Sequence, residues 1–169
     1  MSRRAGILLG LALVLLVVNG LVVRKELLLR EGTSLFLALA PQDPRSLIQG
    51  DYMRLEYSLG REVRGWTANW PRDGRLVVRQ DQRGVAQFVR RDEGGELQQG
   101  ERYLRYRIRG GELHLGAESF FFQEGHAERY DRAKFAELKV TPAGDSVLVG
   151  LRGEQLEPLG GDDPRGQPR

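Results

Sequence analysis

Few side chains in this sequence are suited to chemistry at neutral pH. His114 and His126 are its only histidines and stand twelve positions apart. Neither belongs to an HExxH or other paired ligand pattern, so both are expected at the surface and no metal site is expected. There is no cysteine, which removes thiolate nucleophiles, disulfides and Cys-containing metal centres. No GxxxxGK[ST] and no strand-linked GxGxxG occurs, so no nucleotide or other cofactor is expected. The adjacent carboxylates Asp162 and Asp163 fall in "GGDDPRGQPR". That tail has nothing to bury and is expected to be disordered from Gly160, with the two acids as solvating charge. Arg105, Arg107 and Arg109 recur at every second position beside Tyr103. They read most simply as the polar face of a strand, with an acidic partner or lipid headgroups as the other reading. The remaining polar cluster is Asp43, Arg45, Asp51 and Tyr52, in "PQDPRSLIQGDYMRLEYSL", and it forms the candidate interaction patch.

Charge is distributed unevenly along the chain. The formal charge is +3, and residues 1–31 hold Arg3, Arg4, Arg24, Lys25 and Arg30 against Glu26 and Glu31. Subtracting those five and two from the totals of 26 basic and 23 acidic residues leaves 21 of each sign in residues 32–169. The body is therefore neutral, without the basic excess of a nucleic-acid binder, and no nucleic acid is expected as a partner.

Those charges flank "AGILLGLALVLLVVNGLVV", residues Ala5–Val23, which contain no ionisable group. As a helix this run is about 28 Å long, close to the roughly 30 Å apolar core of a bilayer. A transmembrane helix contacting the lipid bilayer through Ala5–Val23 is the expectation, continued by "RKELLLRE" to a stop at Gly32. A cleaved signal peptide is the rival. The only small-x-small site nearby, Ala38-Leu39-Ala40, lies well beyond the apolar run and precedes Pro41, so an uncleaved signal-anchor is favoured. Arg3, Arg4 and the amino terminus on one side nearly balance Arg24, Lys25 and Arg30 on the other. The amino terminus is expected inside because so short a leader has no domain to translocate, which sends the body outward.

From Gly32 onward, alternation of period two dominates. "TSLFLALA" (33–40) reads as a strand and 41–51 as a loop. In 52–59, Met53, Leu55, Tyr57 and Leu59 share the inward face and Tyr52, Arg54, Glu56 and Ser58 the other. Residues 75–91 read as a hairpin around "DQRG". In "RYLRYRIRGGELHLG", Gly110-Gly111 supply the two positive-φ positions of a tight turn. That turn pairs Ile108 with Leu113 and Tyr106 with Leu115 inside, and Arg109 with Glu112 and Arg107 with His114 outside. "SFFF" (119–122) reads as a strand buried on both faces, and "HAERYDRAKF" (126–135) as the one short helix of the body, with Glu128 and Arg132 at i,i+4. A last hairpin joins "AELKVT" to "SVLVGL", with Leu138 and Val140 packing beside Val147, Val149 and Leu151. The architecture expected is mainly β: an anchor over 1–31, a compact antiparallel barrel or sandwich over 32–159, and a tail over 160–169.

Gly50, Asp51, Tyr52, Leu55 and Tyr57 resemble the pattern that names the GDYXXLXY family of bacterial proteins. The preceding "APQDPRSLIQ" and the later "FFFQEGHAERYDRAKFAELKV" extend the likeness over most of residues 5–151. The resemblance implies a membrane-anchored protein whose relatives are encoded beside multi-spanning membrane proteins, and it brings no catalytic residue. The expected function is a non-catalytic, extracytoplasmic domain that binds a multi-spanning membrane-protein partner. The alternative is a signal-peptidase-like or other hydrolase using the 41–57 loop and strand. On the peptidase pattern Gln42 stands where the nucleophilic serine belongs and Arg45 where a proline is usual. Neither Lys134 nor Lys139 lies in a partner motif, so such an enzyme would have to join Ser46 or Asp43 to a base elsewhere.

Overall fold

The computed structural model describes residues 3–41, 48–49, 52–123 and 125–160. Helix α1, Arg3–Glu31, is apolar on every side and exposed, from Ile7 to Val23. It stops at the expected place, with Gly32 alone between it and strand β1 at Thr33–Ala38. Among the described residues no helix is long and apolar enough to cross a membrane.

After β1 come β2 (Ile48–Gln49), β3 (Tyr52–Arg54), helix α2 (Ser58–Glu62), β4 (Asp73–Gln80), β5 (Ala86–Arg91), β6 (Glu101–Arg109) and β7 (Glu112–His114). They are followed by β8 (Ser119–Phe121), β9 (Phe135–Val140), β10 (Ser146–Arg152) and β11 (Pro158–Leu159). Two curled antiparallel sheets, each a half-barrel, carry the core: β1-β9-β10-β11 and β5-β4-β6-β7. They meet where Phe36 of β1 bridges to Val85 beside β5. Leu35, Leu37, Ala136, Leu138 and Leu151 of the first sheet face Leu76, Val78, Leu104 and Tyr106 of the second, all buried. The short sheet β2-β3-β8 adds Met53 to the same core.

The glycine hairpin has the expected register. Arg107 lies opposite His114, Ile108 opposite Leu113 and Arg109 opposite Glu112, with Gly110 and Gly111 at φ of 58° and 82°. Other expectations need correction. Residues 48–49 of the expected loop form β2. The strand expected over 52–59 ends early, because α2 begins at Ser58. Leu59 and Val63, at helical spacing, are both buried there, so core contact continues with a period of four rather than two. Residues 126–135 hold only a single 3₁₀ turn, Ala127–Arg129. Tyr130 is the one residue of that turn region driven into the core, held between Phe120 at 5.0 Å and Phe122 at 5.2 Å. The chain must then extend into β9 from Phe135.

"SFFF" is not buried on both faces, since Phe121 is 75% exposed; the short sheet is covered on one side only. In the last hairpin a bulge falls between Leu148 and Gly150. The extra residue turns Val149 out to 47% exposure and brings Leu148, rather than Val147, against the core opposite Leu138. Of the tail expected to be disordered, residues 161–169 lie outside the described residues.

Candidate functional site

The segment 52–57 is held along both edges. Tyr52, Met53 and Arg54 pair with Phe121, Phe120 and Ser119 of β8, and the Leu55 amide donates to the Glu118 carbonyl at 2.8 Å. On the other edge the Ala40 amide donates to the Glu56 carbonyl at 2.7 Å, and Leu39 bridges to Tyr57. Alternation then sends Met53, Leu55 and Tyr57 into the core, where each is at least nine-tenths buried. The buried Tyr57 hydroxyl donates to the Ala117 carbonyl at 2.6 Å. Burial, with the Glu118 charge nearby as a smaller cause, raises its pKa well above that of a free phenol.

Of the candidate patch, Asp43, Arg45 and Asp51 lie outside the described residues, as do Gly50 of the motif and the Gln42 and Ser46 of the hydrolase reading. Tyr52 is half-buried on the face opposite Met53, its ring 5.7 Å from that of Phe121. The open side of β2-β3-β8 thus carries an aromatic pair with one ring largely in solvent. A second such surface is formed by Trp66, 56% exposed, against Phe88 at 5.8 Å.

Beside the motif segment lies a groove of about 530 Å³ lined by Arg54, Glu56, Arg61, Arg64, His114 and Glu118 among others. Its charges are mostly matched. Arg61 donates to both Glu56 oxygens at 2.7 and 3.0 Å, and Arg64 adds a contact at 3.3 Å. The Arg61 hydrogen bond, ahead of the arginine charges, holds the Glu56 carboxyl below the ordinary range. His114 Nδ1 lies 2.7 Å from Glu118, and its Nε2 is 3.4 Å from the Arg109 carbonyl. An imidazole oriented by a carboxylate can move a proton. The described contacts of His114 are with Glu118 and the Arg109 carbonyl, so the geometry supplies a base and its orienting acid.

A second groove, of about 670 Å³, lies on the other side of that pair and shares His114 and Glu118 with the first. The Arg105-Arg107-Arg109 stripe is on the outer face of β6, as alternation requires. Arg107 pairs with Asp73 at 2.6 Å and Arg105 with Asp145 at 3.2 Å. Among the described residues no group of three or more His, Asp or Glu could hold a metal ion.

Two buried carboxylates were not distinguishable in the sequence. Glu101 takes Arg79 at 3.1 Å, Arg90 at 2.8 Å and the Gln98 amide at 3.0 Å. Glu137 of β9 takes the Ser34 hydroxyl at 3.1 Å and Arg152. Apart from the Gln98 amide, which is local to Glu101, strand order brings these partners together. They are fold-holding clusters, and neither groove includes them.

A family model described as GDYXXLXY protein matches residues 14–151. No curated protein and no solved structure matches the chain.

Proposed function

The chain belongs to the GDYXXLXY protein family, and from that premise we propose that it is a single-pass membrane protein whose β domain binds a multi-spanning membrane-protein partner without catalysing a reaction. The observation that carries the proposal is the exposed apolar surface of α1, although the described part of that helix is not by itself long and apolar enough to cross a membrane. Its side chains from Ile7 to Val23 are apolar all round and, apart from Asn19, Gly20 and the smaller residues, stand half or more exposed. In water such a surface is costly, whereas in hydrocarbon it is matched. The whole helix, 29 residues, is roughly 44 Å long at 1.5 Å per residue. Placing Ala5–Val23 in the bilayer leaves the Arg24–Glu31 end at the interface and the β domain directly outside it. With the amino terminus inside, the domain faces the periplasm or cell exterior.

Partner binding is supported by the open aromatic pair Tyr52 and Phe121, since exposed aromatic anchors are the residues interfaces most often use. The test has two arms. A reporter fused after Leu159 is expected to be active only on the extracytoplasmic side. Crosslinking in intact membranes is expected to recover a multi-spanning protein with the wild-type chain and far less of it with Phe121→Ala. Recovery of no specific partner, or a reporter active only in the cytoplasm, overturns the reading.

A further inference from the structure

The groove of about 670 Å³ joins two parts of the chain that are far apart in sequence. Lys25 of α1 lines it together with Arg105, Arg107 and Arg109 of β6. Lys25 lies two residues beyond Val23, the end of the uncharged run. If that run is in the bilayer, this groove opens at the level of the lipid headgroups, so any lipid bound there depends on the membrane-anchor reading.

Most arginines around the groove have a carboxylate partner, and two cations do not. Arg107 is paired with Asp73 and Arg105 with Asp145. Arg75 is matched by Asp92 at 2.7 Å and lies over the Tyr103 ring. Glu118 lies 2.7 Å from His114, and while that imidazole is neutral its carboxylate partner keeps one negative charge in the groove against Lys25 and Arg109. Lys25 and Arg109 have no carboxylate in ion-pair contact among the described residues, although Glu112 stands opposite Arg109 across the hairpin. The Arg105 and Arg107 contacts engage Nε of each guanidinium, and arginine carries five N–H donors in a planar fork that suits phosphate oxygens. Two unmatched cations and two forks therefore line one concave surface.

We infer that this groove binds the phosphate of an anionic membrane lipid, with Lys25 and Arg109 supplying the charge and Arg105 and Arg107 further donors. A phosphodiester carries one negative charge and would lie between the two unmatched cations. The same headgroup would fix how the β domain sits over the membrane, because its ligands come from both α1 and β6.

The full chain, purified in detergent with equal amounts of phosphatidylglycerol and phosphatidylcholine, gives the test by native mass spectrometry of retained lipid. The wild-type chain is expected to retain phosphatidylglycerol preferentially. Lys25→Gln and Arg109→Gln are each expected to lower that preference about fivefold, the factor expected for one basic residue at an anionic surface, and the double variant about twenty-five-fold. Neither substitution strips a carboxylate of its partner, so folding is not at stake. Arg132→Gln, an exposed residue of the turn before β9, is the control and should change nothing. An equal preference in wild type and double variant overturns the inference. Displacement of the lipid by inorganic phosphate, at concentrations where chloride of equal ionic strength has no effect, assigns the groove to free phosphate and overturns the lipid assignment. Alkaline carbonate extraction separates the two readings. Release of the wild-type chain from membranes removes the anchor and this inference with it, whereas a retained chain without lipid preference removes this inference alone.

Discussion

Tyr57 is buried over the core, and its hydroxyl is committed to the Ala117 carbonyl at 2.6 Å. The last tyrosine of the motif is thereby a clasp between the 52–57 segment and the turn before β8. Tyr57→Phe leaves that carbonyl without its donor and is expected to cost about 1–2 kcal/mol. Leu55→Ala, which opens a cavity, is expected to cost about 2–4 kcal/mol. Urea unfolding of the full chain in detergent measures both; a Tyr57→Phe midpoint equal to wild type would mean the hydroxyl contributes nothing. Acid stability belongs to the same scale. Glu56 is held below its ordinary pKa chiefly by Arg61, Asp92 by the Gly94 amide and then Arg75, and Glu101 by the Gln98 amide and then Arg90. Unfolded carboxyls titrate near pH 4. A folded-state pKa below that value means stability that is complete above about pH 5 and is lost as pH falls through the folded values. The urea midpoint is thus expected to be unchanged by these groups from pH 7 to 5 and to drop progressively as pH falls below about 4. Glu101→Gln should lower the midpoint at neutral pH and flatten the acid drop. A variant as acid-sensitive as wild type would remove Glu101 from this account.

The bulge in β10 gives an element-scale test, because strict alternation and the observed register make opposite statements about two adjacent residues. Alternation would bury Val149 with Val147 and Leu151; the bulge exposes Val149 and packs Leu148 against the core. Val149→Ala is therefore expected to change stability by less than about 0.5 kcal/mol, and Leu148→Ala to cost about 1–2 kcal/mol. The reverse order in a urea series would restore the unbulged register. The same comparison shows where sequence reasoning reaches. The Gly110-Gly111 hairpin was readable in full because its turn chemistry and its alternating flanks are local and agree. The inward set Met53, Leu55, Tyr57 and Leu59 was readable for the same reason, even though Leu59 reaches the core from a helix. The bulge was not, because two-for-one pairing is decided by the partner strand β9. The helix expected over 126–135 failed because one buried ring, Tyr130 between Phe120 and Phe122, outweighs a surface i,i+4 pair worth only a few tenths of a kcal/mol. Of the candidate site, the inner face of the motif was legible, but the environment of Tyr52 was not. It depends on β8, which lies far along the chain, and nothing local to residue 52 announces Phe121 as its neighbour.

At the scale of the whole molecule, a neutral β domain follows an apolar helix after a single glycine. The helix also approaches β9 and β10, but Val14 and Val17 are exposed and take no part in the buried core. The anchor reading can be probed without touching the core, and magnitudes decide how hard the helix must be pushed. Residues 5–23 contain thirteen Leu, Ile and Val side chains, each favouring insertion by roughly 0.3–0.6 kcal/mol near the helix centre and less toward its ends. Their sum, roughly 4–6 kcal/mol, exceeds the 2.5–3.5 kcal/mol or so that one central arginine costs on the same scale. Val14→Arg alone should therefore still insert. Val14→Arg combined with Val17→Arg brings the penalty to about 5–7 kcal/mol and cancels the preference. The expected outcome is a graded series: the single variant stays in the carbonate-washed membrane pellet as wild type does, and the double variant moves largely to the supernatant or is lost as uninserted chain. Circular dichroism of whatever double variant is recovered should keep the wild-type β signal, because neither valine contributes to the core formed by the two half-barrel sheets. A double variant that pelleted as completely as wild type would show that the β domain, through its own surface or a partner, holds the protein at the membrane without α1.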